Sequence, residues 1–444
     1  MSETLPLLAH TAPDSPVAYR AGVPIPARQF IADAQSLAAR LPPGAPVLNV
    51  CADRYRFAVG LGAAILAGQR SLLPPTHTPE IIRHLRAGDP AAVCLTDQSD
   101  CRIELPLLSF PAGHASRPRD WQVPLIPEQR CVADVYTSGS TGLPLPHRKR
   151  FGALVRSVRI GAHRLGIDGS RRRAVLATVP PQHMYGLESS VLLSLHSGDA
   201  FCAERPFYPA DICATLVALP APRVLISTPV HLRALLAANL PLPAVDRIVS
   251  ATAPLSLALA QEVEQGFGAP LYEIYGSTES GQIASRRPTQ SRVWELYTDV
   301  VLTTRADRVW AGGGHIETEV ALGDTIEAID AQHFLLGDRL QDVVNIAGKR
   351  NSIAYLNHQL LAIPGVLDGT FLQPPEASDS LTGVARLSAV IVAPGLDAAA
   401  VLAALRERID PVFLPRPLLL VPSLPRNSTG KLPAQTLRAL VEAH

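Results

Sequence analysis

No apolar run in this chain is long enough to cross a bilayer. The longest nearly uncharged stretch, Phe57 to Gly68 (FAVGLGAAILAG), falls well short of the roughly 20 residues a span needs and reads as a buried helix. The start, MSETLPLLAHTAPDSP, has no basic segment followed by an apolar core, so no secretory signal is expected and the expected compartment is cytoplasmic. An excess of one charge is also missing. Against 39 Asp and Glu stand 40 Lys and Arg, and a net charge of +1 gives no overall pull towards nucleic acid or acidic lipid. A nucleic-acid partner would have to be held by two short basic runs, Arg148 to Arg150 and Arg171 to Arg173, and none is expected. The six cysteines (Cys51, Cys94, Cys101, Cys131, Cys202 and Cys213) form no C-x-x-C pair and lie in apolar surroundings, which favours buried free thiols over a metal site or disulfides. No internal repeat is evident. The 41 prolines break the chain into short elements and argue against a coiled coil or helical repeat.

What is present is a chain of 444 residues, too long for one ordinary core, so two or three domains are expected. Short runs rich in Val, Ile and Leu recur before turn residues: PVLNVCA (46–52), AAVCLT (91–96), VADVYTS (132–138), AVLATVP (174–180), RVLISTP (223–229) and DRIVSAT (246–252). Helix-period stretches lie between several of them, which predicts βα units on a largely parallel, buried sheet. After Lys149 the apolar positions Phe151, Leu154, Val155, Val158, Ala162 and Leu165 keep helical spacing, so a strand, a glycine-rich loop and then a helix are expected there. From Trp294 the pattern turns to short strand-like pieces (WELYTDVVL, RVWAGG, HIETEV) of a β-rich subdomain. A further unit, with VVNIAGKR, a helix near Asn357 to Leu361, the strand-like LSAVIVAP and a helix from Asp397 to Arg408, places the domain boundary at 339/340.

The run T-S-G-S-T-G, Thr137 to Gly142, offers unhindered backbone N–H groups, hydroxyl donors and glycines free to take positive φ, which is what wrapping an anion requires. It is not a Walker A loop, because no lysine follows Gly142; taken alone it fits an ordinary Ser/Gly turn equally well. Four other segments add to it. Y-G-S-T-E-S-G at 275–281 combines a ring, a hydroxyl and a carboxylate, suited to a base, a phosphate and Mg²⁺. L-G-D-T at 322–325 sets a carboxylate at a turn where ribose hydroxyls can donate to it. G-D-R-L-Q-D-V-V-N-I-A-G-K-R at 337–350 and P-R-N-S-T-G-K-L at 425–432 complete the set, the last presenting a single lysine, Lys431.

In this order and spacing the five segments resemble the adenylate-forming superfamily, which includes acyl- and aryl-CoA synthetases, nonribosomal-peptide adenylation domains and luciferases. The resemblance covers roughly residues 130 to 435. It implies an α/β fold: a large N-terminal domain (1–339) of βα-wound sheets with a β-rich subdomain, and a small mobile α+β C-terminal domain (340–444). By the same resemblance Thr137, Ser138, Gly139, Ser140, Thr141 and Gly142 cover the β- and γ-phosphates of ATP. Tyr275 and Gly276 lie against adenine, Thr278 contacts the α-phosphate, and Glu279 holds Mg²⁺. Asp324, helped by Arg339, binds the ribose; Lys431 bridges the attacking carboxylate and the α-phosphate. His183, Tyr185 and Gly186, with Ser250, Ala251, Thr252, Ala253 and Pro254, line the acid pocket. Gly348 lies beside the pantetheine tunnel, and Gln341 is the hinge.

The chain departs from the superfamily pattern in places. Leu145 stands where the phosphate loop usually has lysine; Arg148, Lys149 and Arg150 follow as substitutes or as a solvated basic helix start. Gln341 replaces the usual hinge residue and Asn345 a frequent lysine. The C-A-D-R-Y-R-F stretch, VPPQHMYGLE and VVNIAGKRNS are similar to the compact ligases of bacterial aryl polyene and xanthomonadin-type pigment pathways. That similarity implies an acid of the 4-hydroxybenzoate or hydroxycinnamate kind, loaded on an acyl carrier protein or on CoA through a phosphopantetheine thiol. A fatty or medium-chain acyl-CoA synthetase and a non-catalytic nucleotide-binding homologue remain the alternatives.

Overall fold

The computed structural model describes residues 3–116, 121–138, 144–306, 308–339, 343–346, 349–373, 386–426 and 432–443. The chain divides into two compact units. The first takes in residues 1–303, 310–320 and 330–333; the second takes in 304–309, 321–329 and 334–444.

Two sheets organise the first unit. One has six strands, in the order Pro144–Arg150, Cys131–Ser138, Ser71–Leu73, Val47–Asn49, Val93–Thr96 and Leu107–Ser109. All its pairings are parallel except the first, where 144–150 runs antiparallel to 131–138 as the edge strand. In the other, Leu271–Ser277, Arg247–Ser250, Arg223–Ser227, Ala174–Ala177, Ala200–Cys202 and Pro16–Arg20 are neighbours in a parallel run. Antiparallel strands Gly281–Arg286, then Trp294–Leu296, extend it on one side and Val23–Pro26 on the other. Strands such as AVLA and VCLT are buried at every residue because helices cover both faces, and that is why they stand out as unbroken apolar runs in the sequence. The apolar stretch at 57–68 falls in the helix Arg54–Leu66, buried nearly all round and capped by Asp53, whose side chain accepts from Arg56 N–H.

Arg54, at the start of that helix, is fully buried. Its guanidinium donates to the carbonyls of Ala177, Val179, Cys202 and Glu204, at 2.7 to 3.2 Å. It thereby ties the helix of one sheet to the strand ends of the other and fixes Val179, directly before P-P-Q-H. Burial lowers its pKa to about 10.

One expectation is corrected in the first unit. The strand, loop and helix expected at 132–165 contains a second strand, Pro144–Arg150, and the helix Phe151–Arg164 follows it without a break. Arg148 and Lys149 therefore lie on opposite faces of a strand, and Arg150, past a shift in its register, is the N-cap of that helix. All six cysteines are free, four of them buried.

The second unit has its own core, with Leu356, Leu360, Phe371, Ile391, Val401, Leu405 and Phe413 at its centre. Helices Ile353–Leu361 and Ala398–Arg406 accompany the sheet Asp368–Leu372, Ser388–Val392 and Leu418–Leu420, an α+β arrangement. Its hairpin of Asp324–Ala328 and His333–Arg339 sets Asp324 directly opposite Arg339.

Candidate active site

The edge hairpin of the six-stranded sheet carries the candidate phosphate loop at its tip. In its register Leu145 lies opposite Thr137, His147 opposite Val135 and Lys149 opposite Ala133, so 145, 147 and 149 share one face with Thr137. Along that face exposure falls steadily: Leu145 is 55% exposed, His147 is half-buried, and Lys149 is buried. His147 Nε2 lies 2.9 Å from Thr137 Oγ1 and 3.4 Å from Glu279 Oε1. Lys149 Nζ donates to the backbone carbonyl of Glu279 at 2.9 Å. The other face holds Arg148, 3.4 Å from Asp134, and Arg150 pairs with Glu317 at 2.9 Å.

Glu279 belongs to the turn between strands 271–277 and 281–286. The turn is held by its own serines, since Ser277 N–H donates to Ser280 Oγ at 3.1 Å and Ser280 N–H to Ser277 Oγ at 3.2 Å. Gly276 is required here, because a Cβ on it would lie 2.1 Å from the carbonyl oxygen of Gly281. Beneath the turn sits Glu188, fully enclosed, accepting from Ser157 Oγ at 2.7 Å and from Gln282 N–H at 3.2 Å. It lies in a π-helical turn, Leu187–Leu192, a distortion that recurs at functional sites. Burial raises the Glu188 pKa, opposed by Ser157, Lys149 and Gln282. Burial lowers that of Lys149, opposed chiefly by Glu188, and lowers that of His147, opposed by Glu279. Tyr275 packs its ring at 5.7 Å from that of Trp294, over which the Arg286 guanidinium lies at 4.6 Å.

The candidate acid-binding residues gather at the carboxyl ends of the parallel strands, where ligands of α/β sheets bind. His183 leads into the short helical turn Met184–Gly186. Gly186 is a packing glycine: a Cβ would lie 2.0 Å from the carbonyl oxygen of Pro180. Tyr185 donates its hydroxyl to the carbonyls of Ser227 and Val249, at 3.0 and 3.1 Å, so its polar end serves the sheet. Ser250 ends its strand, and Thr252, in the S-A-T-A-P segment, has φ +78, an uncommon conformation for a β-branched residue. Beside them lies a buried cluster that sequence reading missed. His231 Nδ1 is 3.0 Å from Thr178 Oγ1 and 3.2 Å from Thr228 Oγ1, and Thr178 Oγ1 is 3.1 Å from Ser227 Oγ. A cleft of about 510 Å³, lined by Asn49, Cys51, His77, Gln98, Arg102 and Arg205 among others, adjoins this region through Pro181 and Gln182. Neither Thr137 nor Glu279 lines it, so its size does not locate the phosphate chemistry.

In the second unit Asp324 and Arg339 are strand partners. Gly139, Ser140, Thr141, Gly142, Gln341, Gly348 and Lys431 lie outside the described residues, as do the side chains of Ser138 and Arg339. Among the described residues no cluster of three or more His, Cys, Asp or Glu could hold a metal, and no helix is long and apolar enough to cross a membrane. Magnesium nevertheless fits the donor chemistry at Glu279. It commonly takes only one or two carboxylates and completes its octahedron with water and substrate phosphates. A single, partly exposed carboxylate beside the candidate phosphate loop matches that habit.

Known proteins resemble this chain in sequence and in fold. A 4-coumarate–CoA ligase-like protein of Oryza sativa subsp. japonica is 23% identical over 415 residues, which take in 82% of this chain and 68% of that protein. The 4-coumarate–CoA ligase of Halorhodospira halophila is 30% identical over 306 residues, 67% of this chain and 73% of its own. Among solved structures, o-succinylbenzoate CoA synthetase from Bacillus subtilis, in complex with its acyl-adenylate intermediate, superposes with a TM-score of 0.81 at 18% identity over 98% of each chain. The sequence model of the AMP-binding enzyme family matches residues 9–300. This chain belongs to that family, and is an AMP-forming acid–thiol ligase of the adenylate-forming fold.

Proposed function

We propose that the protein activates an aromatic carboxylic acid, of the 4-hydroxybenzoate or hydroxycinnamate kind used in aryl polyene-type pigment pathways. ATP would be consumed and pyrophosphate released; the acyl group would then pass to a phosphopantetheine thiol, on an acyl carrier protein or CoA. The observation that carries the reading is the approach of Thr137 and Glu279 to one side chain, His147, which joins a phosphate-loop strand to an acidic turn. The names of the relatives support an aromatic acid.

A carboxylate is already a nucleophile, so its attack on the α-phosphorus needs no general base. It needs relief of repulsion between two anions and stabilisation of charge that spreads over phosphate oxygens. Lys431 would supply the first by bridging both anions, and Thr278 would donate to the α-phosphate. Thr137 to Gly142 would cradle the outer phosphates with backbone N–H groups. Bound at Glu279, magnesium would neutralise charge on the leaving pyrophosphate. Tyr275 and Gly276 would face adenine, Asp324 and Arg339 the ribose, and His183 with Ser250 to Pro254 the acid. Residues 340–444 would turn about Gln341 after adenylation and bring Gly348 to the thiol, expelling AMP. A cytoplasmic setting suits this supply of ATP and thiol.

The test is ATP–pyrophosphate exchange by the purified full chain, without thiol, against aromatic, cinnamic and fatty acids. Exchange that depends on one aromatic class supports the reading. Exchange only with fatty acids would move the substrate class, and ATP binding without exchange would leave a non-catalytic homologue.

A further inference from the structure

We propose that His147 takes over the task of the lysine absent at position 145, joining the phosphate loop to the acidic turn and facing the outer phosphates of ATP. The inference rests on the reading of 137–142 as the phosphate loop, and it adds a residue that this reading does not contain.

The strand itself is the first argument. Side chains two apart on a strand share a face, so a residue at 147 lies on the same side as one at 145, one pleat further from the loop tip. Leu145, at the expected cation position, is exposed, and its side chain has no polar atom to offer an anion. The next residue on that face, His147, places Nε2 2.9 Å from Thr137 Oγ1, the first hydroxyl of the loop. The same nitrogen lies 3.4 Å from Glu279 Oε1. One imidazole thus reaches both halves of a site whose halves come from different sheets.

The second argument is rigidity. The imidazole has two side-chain torsions to order, fewer than a lysine, and Lys149 fixes the partner turn from below through the Glu279 carbonyl. His147 is therefore a positioning residue as well as a contact: it sets the distance between the loop hydroxyl and the carboxylate before nucleotide arrives. If 137–142 cover the outer phosphates, a group beside Thr137 would act on the β- and γ-phosphates and not on the adenosine or α-phosphate contacts.

The test compares the affinity of the full chain for ATP with Mg²⁺ and for AMP, by titration calorimetry, in the wild type, H147A, H147Q and the double variant L145K/H147A. The expected result is about a tenfold weaker ATP affinity in H147A with AMP affinity unchanged, the loss expected for one hydrogen bond to a charged group. H147Q, which keeps a donor at similar reach, should stay within about threefold of wild type on that scale, and L145K/H147A should recover most of the loss. Equal weakening for ATP and AMP would show a merely structural histidine and overturn the proposal. So would an unchanged ATP affinity in H147A, or a lysine at 145 that restores nothing. A wild type that holds ATP no better than AMP would sink the phosphate-loop reading together with this one. A wild type that prefers ATP, with H147A unaltered, sinks this one alone.

Discussion

Lys149 Nζ donates to the backbone carbonyl of Glu279 at 2.9 Å, although 130 positions separate the two residues in sequence. The lysine is buried, and the largest favourable charge it meets is Glu188, enclosed below the same turn. The acidic turn is thus supported in two ways by one strand, through its backbone by Lys149 and through its side chain by His147. Much of the basic run that looked like a substitute for the loop lysine is spent on structure: Lys149 holds the turn, while Arg148 and Arg150 meet Asp134 and Glu317.

Removing Lys149 should therefore weaken the fold and the nucleotide site together. K149M leaves a carbonyl without its donor and Glu188 without its nearest favourable charge, and is expected to cost about 2 kcal/mol in urea unfolding, with a raised KM for ATP. K149M/E188Q removes both buried charges and should recover at least half of that loss. If the two substitutions simply add, Lys149 and Glu188 are not energetically coupled.

Glu279 is the one carboxylate of the turn, and its role can be separated from folding. E279Q keeps the shape and loses the charge, so exchange should fall about a hundredfold or more at low magnesium while AMP binding stays near wild type. Chelation of divalent cations with EDTA should stop exchange in the wild type as well. An E279Q enzyme with an ordinary magnesium requirement would assign the ion to another residue.

How much of this was legible in the sequence depends on what buries each element. The parallel strands were legible because both of their faces are covered, which leaves runs such as AVLA and VCLT almost without polar residues. The helix Phe151–Arg164 was legible from its period. The strand Pro144–Arg150 was not, since PLPHRKR has two prolines and no apolar alternation; it exists as an edge strand, where proline is tolerated, because the partner 131–138 pairs with it. Its period of two did carry a signal, Leu145, His147 and Lys149 on one face, which only the strand assignment could reveal. Glu188 carries no motif of its own in the sequence. Its meaning comes from Ser157 and Gln282, distant in sequence, and from the buried lysine opposite.

Two buried histidines should make the protein sensitive to mild acid. His10 is held with Nε2 close to the carbonyls of Pro16 and Asp199, and burial lowers its pKa to about 4; Arg172 adds to the shift. His196 packs against the Phe151 ring, and burial, with Arg159 and His10 nearby, lowers its pKa to about 3. In the unfolded chain both titrate near 6.5, so below that pH the unfolded state binds protons that the folded state refuses, and stability falls with pH until the folded values are reached. At pH 5 the loss relative to pH 7.5 should be roughly 2 kcal/mol from each. Urea unfolding at the two pH values measures it, and a flat profile would mean that both rings are protonated in the folded protein.

The sharpest separation of roles concerns Lys431. Its proposed task is to bridge two anions at the moment the carboxylate attacks the α-phosphorus, an interaction that exists only in the adenylation step. Thiol attack on the finished adenylate brings no second phosphate anion to that place, so the same cation has little to stabilise there. K431A should therefore lower ATP–pyrophosphate exchange by about a thousandfold or more, the scale expected when developing charge in a water-poor transition state is left without its cation. Transfer from chemically prepared acyl-adenylate to a phosphopantetheine thiol should stay within a few fold of wild type. The two half-reactions, measured on one preparation, discriminate cleanly: equal loss in both would falsify the assignment and point to a lysine that shapes residues 340–444 as a whole. A selective loss would tie that segment to the first chemical step alone, as expected if the same unit turns away before the thiol arrives.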